Sequence, residues 1–271
     1  MPELPEVETS CRGLAPLLTG KSVTSVQIRN ARLRWLIPAE LPDTLQGCTL
    51  RAIHRRAKYL LFQFDHGHLL IHLGMSGSLR VCPVDVTPEK HDHVDIVFAG
   101  QQCLRLRDPR RFGAVLWLAD ALHEHALFKH LGLEPLLDDF DASYLYSKSR
   151  KRTVSIKLLI MDNRIVVGVG NIYANEALFM AGIRPTHKAS RLSKKGAEKL
   201  IFSIKQVLSD AIKLGGTTLR DFVSGEGKPG YFQQKLQVYG RAGQACYACG
   251  ATIKQLKIGQ RSTFYCPHCQ T

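Results

Sequence analysis

The chain has 271 residues, 45% of them hydrophobic and 22% charged, and 37 Lys and Arg against 23 Asp and Glu give a net charge of +14. This is globular composition and not disorder, and there is neither a run of about 18 apolar residues to cross a membrane nor the basic flank and apolar stretch of a signal peptide. A soluble, cytoplasmic protein with a polyanionic partner is expected, long enough for two modest domains.

In chain order, the opening Met1-Pro2-Glu3-Leu4-Pro5-Glu6-Val7-Glu8 allows two uses. Pro5 followed by Glu6 and Glu8 suits the first turn of a helix, where acids meet the positive dipole end. Alternatively, Pro2 is small enough for Met1 to be trimmed, which frees a secondary amine. An α-amino group titrates at roughly 7.7–8.0, so a useful fraction is neutral and nucleophilic near pH 7. Glu3, tethered beside it, is placed to move protons. Val7, Cys11, Leu14 and Leu18 then recur at helical spacing, predicting a helix over 6–18 that Gly20 can cap.

Strands are predicted over 22–28, 49–55, 59–64, 68–73, 78–81, 94–98, 103–107 and 114–118, with turns such as Asp65-His66-Gly67 and Ala99-Gly100 between them. So many short strands within about 100 residues imply a sandwich or flattened barrel. Lys58 stands at the start of one strand, at the rim of a cleft or merely on a solvated basic edge with Arg55 and Arg56.

Acids collect over 134–141, and beyond them the pattern turns helical, at 155–162, 171–181 and 193–214. The last is amphipathic, with Leu200, Ile204, Val207, Leu208 and Ala211 inward. Val166-Val167-Gly168-Val169-Gly170 joins the first two helices tightly enough to aim backbone N–H groups at a phosphate. Asn171 there either caps its helix or reaches a ligand. Glycines 225, 227 and 230 with Pro229 make 217–239 a loop able to close over a ligand. Over 147–164, Lys148, Arg150, Lys151, Arg152, Lys157 and Arg164 face only Asp162, and 240–271 holds no acid at all. A phosphate backbone suits such blocks.

Cys11, Cys48, Cys82 and Cys103 are scattered and read as small buried apolar residues. Cys246, Cys249, Cys266 and Cys269 form C-x2-C-x16-C-x2-C, two knuckles whose thiolates complete a tetrahedron around one zinc ion. Four thiolates close the coordination sphere, so the zinc is structural; His268, inside the second knuckle, is a substitute ligand that is not needed. The fold class is α+β. An N-terminal helix and β-sandwich domain is placed at 1–133, a linker at 134–149, a helical domain at 150–240 and a β-hairpin zinc finger at 241–271.

Together these pieces resemble the formamidopyrimidine-DNA glycosylases of bacterial base-excision repair. The resemblance spans essentially the whole chain. It is carried by Pro2-Glu3-Leu4-Pro5-Glu6-Val7-Glu8-Thr9, Arg56-Ala57-Lys58-Tyr59-Leu60 and His72-Leu73-Gly74-Met75-Ser76-Gly77, then by Lys90-His91-Asp92-His93 and Asp108-Pro109-Arg110-Arg111-Phe112-Gly113. Gly168-Val169-Gly170-Asn171-Ile172-Tyr173, Lys228-Pro229-Gly230-Tyr231-Phe232 and Gln260-Arg261 continue it. It implies a helix-two-turn-helix domain with a lesion-capping loop, and a monomer acting near the bacterial nucleoid on double-stranded DNA that contains an oxidised purine or an abasic site. Pro2 would attack the sugar C1′ to form a Schiff base, Glu3 would move protons, and Lys58 and Arg261 would grip the phosphate at the lesion. Met75, Arg110 and Phe112 would fill the void left by the flipped nucleotide, and Arg110 would face the orphaned cytosine. His91, Arg110, Lys151 or Arg152, and Asn171 would hold the backbone. Glu6 would pack near the same pocket.

Two other readings compete. An endonuclease VIII-like enzyme shares the fold, the proline and the zinc ribbon but prefers oxidised pyrimidines; Leu4 stands where that family typically has Gly, and its void-fillers differ. A non-catalytic zinc-ribbon damage binder would bind without a covalent intermediate and has no need of an N-terminal amine.

Overall fold

The computed structural model describes residues 2–119, 122–216 and 235–271. They divide into two compact units, one reaching Lys129 and including 214–216, the other comprising His130–Lys213 and 235–271.

The first unit opens with α1 (Leu4–Leu18). It starts two residues before the apolar spacing predicts, because Glu3 is its N-cap and closes a reciprocal capping box with Glu6. Eight strands follow: β1 (Val23–Ile28), β2 (Ala52–Arg56), β3 (Tyr59–Phe64), β4 (Gly67–His72), β5 (Ser78–Pro83), β6 (Asp92–Phe98), β7 (Gln102–Arg107) and β8 (Ala114–Leu118). They form two antiparallel four-stranded sheets, ordered β1-β6-β7-β5 and β2-β3-β4-β8. Leu60, Phe62, Leu69 and Ile71 of one sheet meet Val94, Ile96, Leu104 and Leu106 of the other in one apolar cluster, joined by Val7, Leu14 and Leu18 of the helix. This is the expected sandwich with its N-terminal helix. A five-residue helix, α2 (Leu41–Leu45), was not legible in the sequence, being too short to show a period; it buries Leu41 and Leu45.

The first sheet carries a row of charges. Asp95 and Arg105 face each other across β6 and β7, and Arg105 donates to both Asp95 carboxylate oxygens, at 2.8 and 2.7 Å. Arg29 donates to the same carboxylate. Asp92 takes both ends of Arg80, at 3.2 and 2.6 Å. Arg105 is 1% exposed and Asp95 4%, so the pair is a buried one that cannot be broken from one side cheaply.

In the second unit, α3 (Ala142–Ser149) occupies part of the stretch assigned to a linker. Asp141 caps it, accepting the Tyr144 N–H at 2.7 Å. Next come α4 (Ile156–Ile160), capped by Ser155, α5 (Asn171–Met180) and the amphipathic α6 (Lys194–Lys213). All five apolar residues assigned to the inner face of α6 are buried. A hairpin, β9 (Lys254–Ile258) and β10 (Arg261–Tyr265), ends the chain. No described helix is long and apolar enough to cross a membrane.

Burial pushes the Asp95 carboxyl up, but the hydrogen bonds and charges of Arg105 and Arg29 outweigh it and hold it at about 2. A folded pKa below the unfolded value contributes stability above the unfolded pKa of roughly 4, and loses it as pH falls through the folded one. Asp95→Asn is therefore expected to lower the unfolding free energy by about 3–5 kcal/mol at pH 7. In urea titrations the gap to wild type should persist down to about pH 4 and close below it.

Candidate active site

In the first unit the candidate residues lie on one helix end and four connections between strands. Pro2 is buried and immediately precedes the N-cap of α1. The Glu3 N–H donates to Glu6 Oε2 at 2.8 Å, while the Glu3 side chain accepts from the Glu6 backbone. Both carboxylates are 2% exposed. Gly216, at φ +82°, packs against Glu6, where a Cβ would come within 3.0 Å of Oε1. The stretch 217–231, expected to cap a lesion, lies outside the described residues.

Lys58 lies in the two-residue turn joining Arg56 of β2 to its partner Tyr59 of β3. The preceding Ala57 is held at φ 53°, a left-handed conformation costly for any residue with a Cβ. Near Lys58, His72 accepts the Gly74 N–H on Nδ1 at 3.0 Å. Burial, followed by the charges of Lys58 and Arg34, pulls its pKa down to about 4. His72 is thus a neutral imidazole at pH 7, with its proton on Nε2. Arg34, His72, Gly74, Met75 and Phe112 line a cavity of about 310 Å³.

Met75, Arg110 and Phe112 project from two loops fastened together. Asp108, 0% exposed, accepts the Ser76 hydroxyl at 3.1 Å and the Gly113 N–H at 2.7 Å. Arg110 N–H donates to the same Ser76 oxygen at 3.3 Å. Gly74, at φ +63°, has no room for a Cβ: it would lie 2.4 Å from the Phe112 carbonyl carbon. On this base Met75 and Phe112 stand 38% and 45% exposed, against the buried positions that ordinary apolar residues take. The Arg110 guanidinium lies 5.0 Å from the Phe112 ring centre. His91, at φ 80°, has its ring 6.2 Å from that of His93.

In the second unit α5 organises the site. Gly170, not Asn171, is the N-cap, and the Asn171 amide instead donates to the Ser262 carbonyl of β10 at 3.0 Å. One turn on, Asn175 accepts the Phe264 N–H at 2.7 Å. Glu176 accepts the N–H groups of Gln237, Val238 and Tyr239 at 2.8, 3.0 and 2.8 Å. Its burial raises its pKa in spite of these donors. Lys157 is fully buried on α4 and donates to the Thr263 hydroxyl at 2.7 Å and the Ser262 carbonyl at 3.2 Å. Arg261 follows the hairpin turn Gly259-Gln260, whose φ values of 54° and 62° fit a type I′ turn. Arg261, Lys151 and Arg152 are all exposed, whereas Arg150 donates to the Leu192 carbonyl and stacks on Tyr146.

The four ribbon cysteines bring their Sγ atoms within 4.8 Å of one another, with Cys249 and Cys266 at 3.4 Å and Cys246 and Cys269 at 3.9 Å. Zinc at about 2.3 Å from each thiolate needs sulfurs about 3.8 Å apart. The donor set fits one structural zinc, and among the described residues no histidine joins it. Burial raises the Cys266 thiol, but N–H groups of Cys269 and His268 outweigh this and bring it to about 7. Cys11 and Cys103 are buried as expected, with thiols pushed by burial to about 11 and 12. Cys48 and Cys82 are only partly buried.

Known families match this arrangement from end to end. Residues 1–115 match the formamidopyrimidine-DNA glycosylase N-terminal domain, 131–223 the formamidopyrimidine-DNA glycosylase H2TH domain and 243–271 the zinc finger found in FPG and IleRS. The formamidopyrimidine-DNA glycosylase of Saccharophagus degradans is 58% identical over 270 residues, covering 100% of both chains. The chain belongs to the formamidopyrimidine-DNA glycosylase family. Among solved structures, a Lactococcus lactis FPG mutant in complex with Fapy-dG-containing DNA superposes with TM-score 0.93 at 38% identity, covering 100% of each chain. The Lactococcus lactis Fpg bound to DNA containing an abasic site gives 0.92 at 37% identity, covering 99% of each. The helical unit is thus a helix-two-turn-helix domain followed by a zinc ribbon.

Asp108, Lys157 and Glu176, which hold these loops and strands in place, were not legible as such in the sequence. Lys157 is indistinguishable in sequence from its basic neighbours, and Glu176 from any helical surface acid; Asp108 lies inside a motif in which the arginines carry the visible charge. Because the ribbon's apolar cluster is small, its order depends on metal. Chelating the zinc is expected to abolish DNA binding and strand nicking together. Full nicking by a chain shown metal-free would contradict this.

Proposed function

We propose that the chain is a bifunctional DNA glycosylase and abasic-site lyase that extrudes oxidised purines, 8-oxoguanine opposite cytosine and formamidopyrimidines, and excises them through a Schiff base on Pro2. The observation that carries this reading is the buried start of α1, where Pro2, the residue that removal of Met1 would make the terminal amine, directly precedes a boxed N-cap carboxylate. Membership of the family and the lesion-containing complexes of its relatives support it.

Extruding the nucleotide costs a few kcal/mol of stacking and pairing. The Pro2 nitrogen then attacks C1′, and the base departs with a proton delivered by Glu3. Opening of the sugar ring leaves an iminium at C1′, which acidifies the C2′–H. Loss of that proton expels the 3′ phosphate, and a second elimination expels the 5′ phosphate. Electrons move only within these bonds, so neither oxidant nor reductant is needed. Lys58 and Arg261 are assigned to the phosphate at the lesion and to the proton transfers. His91, Asn171, Lys151 or Arg152 are assigned to the backbone, where charge rather than base identity supplies affinity. Zinc, held by Cys246, Cys249, Cys266 and Cys269, supplies architecture, keeping the hairpin that carries Arg261 ordered. Met75, Arg110 and Phe112 fill the vacated stack, and Arg110 donors suit cytosine O2 and N3. We place the enzyme in the bacterial cytoplasm, nucleoid-associated and monomeric.

Single-turnover excision on duplexes carrying 8-oxoguanine opposite C, 8-oxoguanine opposite A, or thymine glycol tests the substrate class. The 8-oxoguanine·C duplex should be cut fastest; preferential cutting of thymine glycol would move the chain to the oxidised-pyrimidine enzymes. Arg110→Ala is expected to reduce the preference for C over A by about 1–3 kcal/mol, with nicking of a preformed abasic site retained.

A further inference from the structure

The assigned proton-moving and phosphate-binding groups of the first unit belong to separate elements: Glu3 to the start of α1, Lys58 to the turn between β2 and β3. One side chain reaches both. Arg55, the penultimate residue of β2, donates from Nε to Glu8 Oε2 on α1 at 2.7 Å, and from Nη1 to the Ala57 carbonyl at 3.0 Å. Its side chain is 10% exposed and that of Glu8 18%. Arg12 donates to the other Glu8 oxygen at 2.7 Å but from the surface, at 66% exposure.

A tie between helix and sheet would need only the Glu8 contact, and Cys11 already makes a second such tie through the Ile53 carbonyl at 3.3 Å. The bond to Ala57 does something different. The Ala57 carbonyl shares a planar peptide unit with the Lys58 nitrogen and Cα, so holding that oxygen sets the direction in which Lys58 leaves the chain. Ala57 is itself in a left-handed conformation and 3% exposed, a geometry that persists only where the surroundings enforce it. Burial raises the Glu8 carboxyl, but Arg55 and Arg12 outweigh it and keep it below the usual carboxylate range, so the anchor is charged at neutral pH.

We propose that Arg55 is a positioning residue: anchored on Glu8, it fixes the Lys58 turn relative to the helix that begins at Pro2 and Glu3. The proposal rests on the assignment of Lys58 made above, and it locates the control of that lysine in a residue that the sequence presents as one more surface arginine.

The test is single-turnover nicking of a preformed abasic duplex by wild type, Arg55→Met, Lys58→Ala and the double variant, with DNA affinity and urea midpoints measured alongside. Arg55→Met should lower the nicking rate about 10- to 100-fold, the scale set by misplacing a reacting group by about an ångström. DNA affinity should stay within about twofold. In the Lys58→Ala background the same substitution should change the rate by less than about twofold, because its target is already gone. Glu8→Gln, which keeps the volume and one acceptor oxygen, should give a smaller loss with the same dependence on Lys58, and provides the test if Arg55→Met folds poorly. Equal losses in both backgrounds, or a loss confined to DNA affinity, would overturn the proposal. An unchanged rate in Lys58→Ala alone would instead overturn the Lys58 assignment, and the proposal with it.

Discussion

A nucleophile at the end of a chain faces a mechanical difficulty, since terminal residues are ordinarily the least ordered part of a fold. The reciprocal box between Glu3 and Glu6 answers it. Each carboxylate satisfies a backbone N–H of the other's residue, so the first turn of α1 closes on itself and residue 2 leaves a defined helix end. Burial of Leu4, Val7, Leu14 and Leu18 against both sheets then fixes that helix in the sandwich. The proposed secondary amine and proton carrier are thereby contained, with the core packing that holds them, in the first eighteen residues. The same geometry suits the role proposed for Glu3 better than an isolated surface acid would: it is 2% exposed and its backbone N–H is held by Glu6.

The second unit solves a comparable difficulty by other means. A five-residue-per-strand hairpin is too small to hold its own register, and the exposed Arg261 at its tip depends on whatever steadies it. Zinc ties one end. At the other, the strand that begins with Arg261 is tied through the backbone of Ser262 and Phe264 and the hydroxyl of Thr263 to Asn171, Asn175 and the buried Lys157. Glu176, on the same helix, gathers three N–H groups of residues 237–239. α5 is therefore a scaffold for backbone, beside the phosphate contact proposed for Asn171. Of its polar residues only Asn171 stands out in the sequence, as a cap or a contact; Gly170 takes the cap, and the Asn171 amide holds the Ser262 carbonyl.

The pattern of what was legible follows from the range of the interactions. Elements defined by local periodicity were read well: β3 and β8 have the predicted bounds, and the inner face of α6 was assigned residue by residue. The zinc ligands were legible because metal chemistry dictates their spacing. α2 and α3 were not, since five and eight residues show little period and α3 adjoins a run of acids that reads as a linker. Hardest of all were charged side chains whose partners lie far along the chain. Arg55 finds Glu8 47 residues away and Lys157 finds Thr263 106 residues away. Both sit among other cations in the sequence, and only the fold separates the buried member from its solvated neighbours.

The account turns on the identity of the nucleophile, and borohydride reduction addresses it directly. Wild type and Pro2→Gly would each be incubated with a duplex carrying one 8-oxoguanine opposite cytosine, reduced with borohydride and mapped by peptide mass. The account predicts a covalent protein–DNA adduct on residue 2 of a chain that has lost Met1. Pro2→Gly keeps a primary amine, so its adduct should be weakened and not abolished. Tight binding by wild type with no adduct, or an adduct mapped to a lysine, would contradict it.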